Sequence, residues 1–168
     1  MASELRIFVY GTLKSGFSNH DAYCTGVLRI CQAWLRGRLF KLSPLIPVMT
    51  VPDEDILARG TASVTDDIEA QKKFESFPAS KETARPASRC GRGWRKVTGE
   101  LLVFDDPETR LPLLDSLEEF KPGCPSTYLR VLVSITLPRG LQTSAWTYIA
   151  GVDTARLEEY SVESWNIF

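Results

Sequence analysis

Five short strand-like stretches constrain the fold of this chain more than any other feature of its sequence. They begin at residues 6, 33, 97, 128 and 143 and read RIFVY, AWLRGRLFKL, VTGELLVF, YLRVLVSITL and TSAWTYIA. Apolar and polar side chains alternate over residues 33–42 and 130–137, which is typical of strands with one buried face. The sequence therefore predicts a curved antiparallel sheet, whose closure would remove the exposed edges that a sheet of this size must otherwise protect.

Three segments between these strands have helical patterns. SNHDAYCTG offers Ser18 or Asn19 as an N-cap and Gly26 as a terminator. DPETRLPLLDSLEEF begins with Asp106 and Pro107, a pair that is typical of a helix start. DDIEAQKKFESF fits a short amphipathic helix. We therefore expect helices to flank the sheet.

The order of these elements, strands with a few intervening helices, predicts an α+β fold. The 168 residues suffice to bury one hydrophobic core, and we expect a single domain over residues 1–168. The least regular part is residues 53–96, where PASKETARPASRCGRG is rich in Pro, Ser, Gly and charge. This composition predicts an insertion or a mobile loop within that range.

Charge and composition argue against several classes of partner. A formal net charge of -1 provides no basic surface for nucleic acid or for an anionic membrane. No apolar run approaches the roughly 20 residues that span a bilayer. MASELRIFVYG lacks the pattern of a secretory signal, so we expect a cytoplasmic protein. The four cysteines form no C-x-x-C pair and there is one histidine, so we expect no metal site.

One carboxylate in LPLLDSLEEF falls on the apolar face of its predicted helix. At 3.6 residues per turn, Leu111, Leu114 and Leu117 share an apolar side. Glu118 falls within that side, whereas Glu119 faces water. A carboxylate buried without partners has a raised pKa, which suits a general base. The helix pattern alone favours the other interpretation, a structural ion pair with a neighbouring Arg or Lys.

The first strand runs into a loop, GTLKSGFSNH, that contains no evident nucleophile or metal-ligand set. In one interpretation, Gly11 and Gly16 simply allow the chain to turn. Alternatively, successive backbone N–H groups in such a loop can form a nest for a carboxylate or an oxyanion. We expect Asn19 and His20 to cap the first helix or to lie on the surface.

Five segments, in this order, resemble the γ-glutamylcyclotransferase-like superfamily, and most of all its γ-glutamylamine cyclotransferase and AIG2-like branch. They are FVYGTLKSGFSNH, VTGELLVFDD, LLDSLEEF, CPSTYLRVLV and SAWTYIA. The resemblance implies a compact, mostly antiparallel β-barrel with flanking helices and a cleft at the Y-G-T-L loop. It also implies an enzyme that releases 5-oxoproline from a γ-glutamyl amide without metal or cofactor.

In this family the substrate's own α-amine attacks its γ-carbonyl, and a single glutamate transfers the proton. That glutamate follows an L-D-x-hydrophobic pattern, which here is LDSL, so the resemblance assigns the role to Glu118. The helix pattern and the family pattern thus select the same residue, which favours the catalytic role. By resemblance, the γ-glutamyl group is bound by the loop residues Tyr10, Gly11, Thr12 and Leu13.

The resemblance also places Tyr128 in the pocket wall, although the strand pattern places both Tyr128 and Tyr148 in the core. Three departures from the family concern substrate identity: the length of residues 53–96, the extra residues EFKPG, and Leu102 at a position that is often aromatic. They leave open an alternative, a non-catalytic protein that binds a γ-glutamyl-like ligand. The leaving amine and the oligomeric state are not determined by the sequence.

Overall fold

The computed structural model describes residues 3–75, 93–161 and 163–166. The described residues form three α-helices and eight strands: β1 (Leu5–Val9), α1 (Ser18–Tyr23), β2 (Arg29–Ser43), β3 (Ile46–Thr50), β4 (Ile56–Arg59), α2 (Val64–Glu75), β5 (Arg95–Phe104), α3 (Pro107–Leu117), β6 (Tyr128–Thr136), β7 (Gln142–Ala150) and β8 (Glu158–Glu159). Two single-turn 3-10 helices cover Asp53–Asp55 and Pro138–Gly140. Within these ranges, none of the helices has the length and apolar content needed to cross a bilayer.

Five of the strands close into a barrel. Their order around the ring is β2, β5, β1, β7 and β6, and β6 returns to β2 through the pair Trp34 and Thr136. Neighbouring strands are antiparallel except β1 and β7, which run parallel. Strands β3 and β8 extend the sheet beyond β2, and β4 extends it beyond β6. The predicted α+β fold, a mostly antiparallel β-barrel with flanking helices, is confirmed.

Strand alternation divides the apolar side chains into two cores. One core receives residues from all five barrel strands, among them Phe8, Leu35, Leu101 and Val133, and fills the barrel. The other lies between the outer barrel wall and helices α2 and α3; its members include Leu5, Ile7, Ile68, Leu102, Leu111, Leu114 and Trp146. Strand β1 is buried on both faces and contributes to both cores.

The helices lie close to where the sequence predicts them. Helix α3 begins at Pro107 with Asp106 as its N-cap, and α2 covers most of DDIEAQKKFESF. The prediction of Ser18 or Asn19 as the N-cap of α1 is wrong, because Phe17 occupies that position without a side-chain cap. Of the predicted loop PASKETARPASRCGRG, all but the last residue lie outside the described residues.

A buried ion cluster ties both of the larger helices to the barrel. Arg130 projects from β6 with only 1% of its side chain exposed. Its Nη1 lies 2.8 Å from Asp67 Oδ2 on α2, and its Nε lies 2.9 Å from Asp115 Oδ1 on α3. Its Nη2 donates to the Thr61 carbonyl oxygen at 2.9 Å. Because a buried charge is costly without partners, these contacts fix where the two helices lie on the barrel.

The barrel wall has no room for a side chain at Gly99 on β5. A Cβ atom there would lie 2.2 Å from the carbonyl oxygen of Val9 and 2.8 Å from the ring of Phe8. We expect Gly99→Ala to lower the free energy of unfolding by at least about 2 kcal/mol, because the backbone of β1 would have to move. Ser134→Ala, at an exposed position of β6, is the control and should change it by less than about 0.5 kcal/mol. Equal midpoints for the two variants in urea unfolding would contradict this account of the wall.

Candidate active site

A cavity of about 360 Å³ opens where β1 ends. Its wall is formed by the loop after β1, the hairpin between β2 and β3, the end of α3 and the beginning of β6. The lining residues are Phe8, Val9, Tyr10, Gly11, Thr12, Leu13, Asn19, Leu42, Ile46, Pro47, Leu117, Glu118, Glu119, Thr127, Tyr128 and Tyr148. All six residues that the sequence analysis assigned to a site are among them. The cavity is large enough for a small-molecule ligand.

The loop after β1 is held from behind by helix α1. Asn19 Nδ2 donates to Thr12 Oγ1 at 2.8 Å, and His20 Nδ1 donates to the Leu13 carbonyl oxygen at 2.8 Å. These side chains therefore anchor the loop, which corrects the expectation that they cap α1 or lie free on the surface. A side chain at Gly11 would be tightly packed, since its Cβ would lie 3.0 Å from Pro47 Cγ.

The same loop, whose residues line the cavity, contains unpaired backbone donors. In the described part of the chain, no group accepts a hydrogen bond from the N–H of Gly11, Thr12 or Leu13. Their neighbour Lys14 does use its N–H, which donates to the Gly11 carbonyl oxygen at 3.1 Å. Successive free N–H groups are suited to bind a carboxylate or a developing oxyanion.

Glu118 lies at the C-terminal end of α3, where it is the C-cap. Its N–H donates to the Leu114 carbonyl oxygen at 2.9 Å, so the helical turn still directs the side chain to the apolar side. The carboxylate is half-buried on the cavity, and burial raises its pKa from the ordinary 4.5 to about 7. No Arg or Lys within the described ranges forms an ion pair with it. Among the described residues, Glu118 therefore does not form the structural ion pair that the helix pattern alone favours.

The next residue, Glu119, leaves the helix and is exposed at the rim of the cavity. Its φ angle is 53°, in the left-handed region that residues other than glycine adopt infrequently. The turn this conformation makes sends the chain away from α3. The two adjacent glutamates therefore face different environments, as the helical spacing predicts.

Three tyrosines line the cavity, and each directs its hydroxyl proton to a protein acceptor. Tyr10 donates to the carbonyl oxygen of Tyr148 at 2.8 Å, and Tyr128 donates to that of Pro47 at 2.7 Å. Tyr148 donates to Asp115 Oδ1 at 2.7 Å. With these protons committed, the phenol oxygens can only accept further hydrogen bonds. The cavity near Glu118 is therefore rich in acceptors, which suits an ammonium group.

The sequence analysis did not place Tyr148 or the β2–β3 hairpin at a site. Tyr148 lies in the core, as its strand pattern predicts, with 4% of its surface exposed, yet it also lines the cavity. The hairpin contributes Leu42, Ile46 and Pro47. Strand alternation shows on which face of the sheet a residue lies. A cavity formed by loops and strand ends depends on how the strands pair, which alternation does not specify.

Comparisons with known proteins agree with this architecture. A model of the family described as γ-glutamyl cyclotransferase, AIG2-like, matches residues 7–77 and 69–166. An AIG2-like protein of Mus musculus has a similar structure over 97% of this chain and 88% of its own, with a TM-score of 0.54 and 20% identity. YkqA of Bacillus subtilis is similar over 96% of this chain and 39% of its own, with a TM-score of 0.52 and 18% identity. A search of curated proteins found no match.

The raised pKa of Glu118 predicts a stability difference that depends on pH. Folded Glu118 binds its proton more tightly than unfolded Glu118, so its contribution to stability is lost as pH rises from about 4.5 to about 7. We expect Glu118→Gln to raise the free energy of unfolding by about 3 kcal/mol at pH 8, because the amide carries no charge to bury. At pH 4 the substitution should have little effect.

Chemical unfolding at pH 4 and at pH 8 measures this difference. Glu119→Gln is the control, and its effect should be small at both pH values because Glu119 is exposed. A Glu118→Gln effect that is the same at both pH values would contradict the titration of Glu118 near neutrality.

Proposed function

The chain belongs to the γ-glutamyl cyclotransferase, AIG2-like family, and from that premise we propose that it is a cofactor-independent γ-glutamyl cyclotransferase. Its family membership confirms the resemblance carried by the five sequence segments. The observation that carries the proposal is Glu118, a half-buried carboxylate that shares one cavity with the free N–H groups of the loop after β1. The proposed substrate is a small γ-glutamyl amine or γ-glutamyl amino acid, and the proposed compartment is the cytoplasm.

The proposed reaction needs no protein nucleophile. The α-amine of the γ-glutamyl group attacks the γ-carbonyl carbon and forms a five-membered ring. The bond from that carbon to the leaving nitrogen then breaks, which yields 5-oxoproline and a free amine. The attacking nitrogen starts as an ammonium group and ends as the lactam N–H, so it loses two protons. Glu118 accepts these protons one after the other and passes each to the leaving nitrogen, which departs as an ammonium group, so the glutamate ends as it began. Because the attack is intramolecular, holding the substrate in the reactive conformation supplies a large part of the acceleration.

The protonation behaviour of Glu118 supports this assignment. An α-amine has a pKa near 8 and is mostly protonated at neutral pH, so it needs a base before it can attack. Burial raises the pKa of Glu118 to about 7, which makes it a stronger base than an exposed carboxylate and a competent acid for the return step. Because none of the described Arg and Lys residues pairs with it, its oxygens can accept the ammonium proton.

The two walls of the cavity have complementary chemistry. The N–H groups of Gly11, Thr12 and Leu13 are suited to stabilise the oxyanion that develops on the γ-carbonyl oxygen. The phenol oxygen of Tyr128, whose proton is committed to the Pro47 carbonyl oxygen, is suited to accept from the α-ammonium group, whereas that of Tyr10 already accepts from the Met49 backbone. We assign the N–H groups to the carbonyl and the Tyr128 oxygen to the amine.

A panel of γ-glutamyl compounds tests the proposal, with 5-oxoproline as the measured product. The panel includes γ-glutamyl alkylamines, γ-glutamyl-ε-linked lysine, γ-glutamyl dipeptides and glutathione. At least one should be converted. Absence of product from all of them would overturn the proposal, and ligand-induced thermal stabilisation without product would identify a binding protein on the same scaffold.

Glu118→Gln should lower kcat/KM for the converted compound by at least about 100-fold, because the amide cannot accept the proton. Glu119→Gln, the adjacent exposed glutamate, should lower it by less than about threefold. Both variants are compared after circular dichroism shows native spectra. A larger loss of kcat/KM from Glu119→Gln than from Glu118→Gln would show that the assignment of the base to Glu118 is wrong.

The pH dependence provides a second measurement of the same group. The deprotonated carboxylate is the active base, so kcat/KM should fall on the acid side with a midpoint near the Glu118 pKa of about 7. An acid limb centred near 4.5, the pKa of an ordinary exposed glutamate, would contradict a role for a buried base.

A further inference from the structure

A series of polar contacts connects α2, β6 and α3 and ends at Tyr148 in the cavity wall. Asp67 pairs with Arg130, Arg130 pairs with Asp115, and Asp115 accepts the hydroxyl proton of Tyr148. The side chains of Asp67 and Arg130 are 2% and 1% exposed, and that of Asp115 is 18% exposed. Asp115 is three residues before Glu118 on the same helix, so the two carboxylates lie on neighbouring faces of one turn.

Two groups in this series of contacts would lower the pKa of Glu118 if they were released from their partners. The hydroxyl of Tyr148 is a donor beside the cavity, and a donor to an ionised carboxylate lowers its pKa. The guanidinium of Arg130 is a buried cation, and an uncompensated positive charge nearby has the same effect. Either change would make Glu118 a weaker base.

Asp115 contacts both of these groups with one oxygen. Its Oδ1 accepts the Tyr148 proton at 2.7 Å and lies 2.9 Å from Arg130 Nε. Burial raises the pKa of Asp115, while the Arg130 charge and the Tyr148 hydrogen bond oppose that rise. Asp67 also compensates the Arg130 charge, with its Oδ2 at 2.8 Å from Arg130 Nη1.

The other titratable groups around Glu118 are already committed or exposed. Tyr10 and Tyr128 donate to backbone carbonyl oxygens, and Glu119 lies at the exposed rim. Lys14, which follows the loop, donates instead to the carbonyl oxygen of Trp165 at 2.6 Å. Of the two groups that Asp115 holds, Tyr148 lines the cavity together with Glu118 and interacts with it electrostatically, whereas Arg130 lies outside the cavity lining and is the buried charge that Asp115 helps to compensate.

We propose that Asp115 is a positioning residue that keeps Glu118 an unpaired base by binding both the hydroxyl proton of Tyr148 and the charge of Arg130. Its effect on turnover rests on the proposed cyclotransferase reaction. Its effect on the Glu118 carboxylate does not, since that effect depends only on the contacts within the protein. The two can therefore be tested separately.

The direct test is the titration of Glu118, followed by infrared spectroscopy of protein labelled with 13C at the glutamate carboxyl groups. The Glu118 signal is identified by its loss in Glu118→Gln. Asp115→Leu removes the acceptor and the charge, and should lower the pKa of Glu118 from about 7 by about 1. Asp115→Asn, a milder change that keeps an oxygen acceptor, should lower it less and serves if the leucine variant does not fold.

Two further variants separate positioning from general damage to the ion cluster. Asp67→Asn also removes a carboxylate from Arg130 but leaves Tyr148 bound to Asp115, so it should shift the pKa of Glu118 by less than half as much. Adding Tyr148→Phe to Asp115→Leu removes the released donor and should restore part of the loss. An unchanged pKa in both Asp115 variants, or equal shifts in Asp67→Asn and Asp115→Leu, would overturn the proposal.

If turnover is found, the acid limb of the kcat/KM profile should move to lower pH in Asp115→Leu by the same amount as the measured pKa. The plateau should fall several-fold, because the base is weaker. A plateau loss with an unmoved acid limb would indicate a purely structural role and overturn the proposal. Absence of turnover in the natural protein would refute the proposed function, while the carboxyl titration would still decide the role of Asp115.

Discussion

The burial of Arg130 is the constraint on which the arrangement of the site depends. A guanidinium that is 1% exposed cannot remain without partners, because desolvation of an uncompensated charge is costly. Its partners come from α2, through Asp67, and from α3, through Asp115. The helices are thereby positioned by electrostatic pairing as well as by apolar packing. Since Glu118 is the C-cap of α3, the same pairing determines where the candidate base lies.

The site meets two requirements that usually conflict, the burial of a carboxylate and the absence of a cation paired with it. A carboxylate that is to act as a base near neutral pH has to be buried, yet it must not be paired with a cation. The nearby cations are bound by other groups, Arg130 by two aspartates and Lys14 by the carbonyl oxygen of Trp165. Glu118 faces acceptor oxygens and backbone N–H groups instead. This distribution of charge explains why burial alone accounts for its raised pKa.

Much of the architecture could be predicted from local patterns, and the failures have identifiable causes. Alternation over residues 33–42 and 130–137 located two of the barrel strands, strand-like apolar stretches located the others, and the Asp106–Pro107 pair located the start of α3. The N-cap of α1 was mispredicted because Asn19 bonds to Thr12, a partner outside the helix. The parallel pairing of β1 with β7 had no local signal, because pairing direction depends on how distant segments meet.

The sequence by itself determined that Glu118, rather than its neighbour Glu119, lies on the apolar side of a helix, because helical spacing is a local property of the backbone. It also determined that a glycine-containing loop follows the first strand. Only the tertiary structure decided that these two elements share a cavity, that Tyr148 belongs to it, and that Asp115 binds both Tyr148 and Arg130. Those relations depend on barrel closure and on the pairing of buried charges between segments far apart in the chain, which no local pattern encodes.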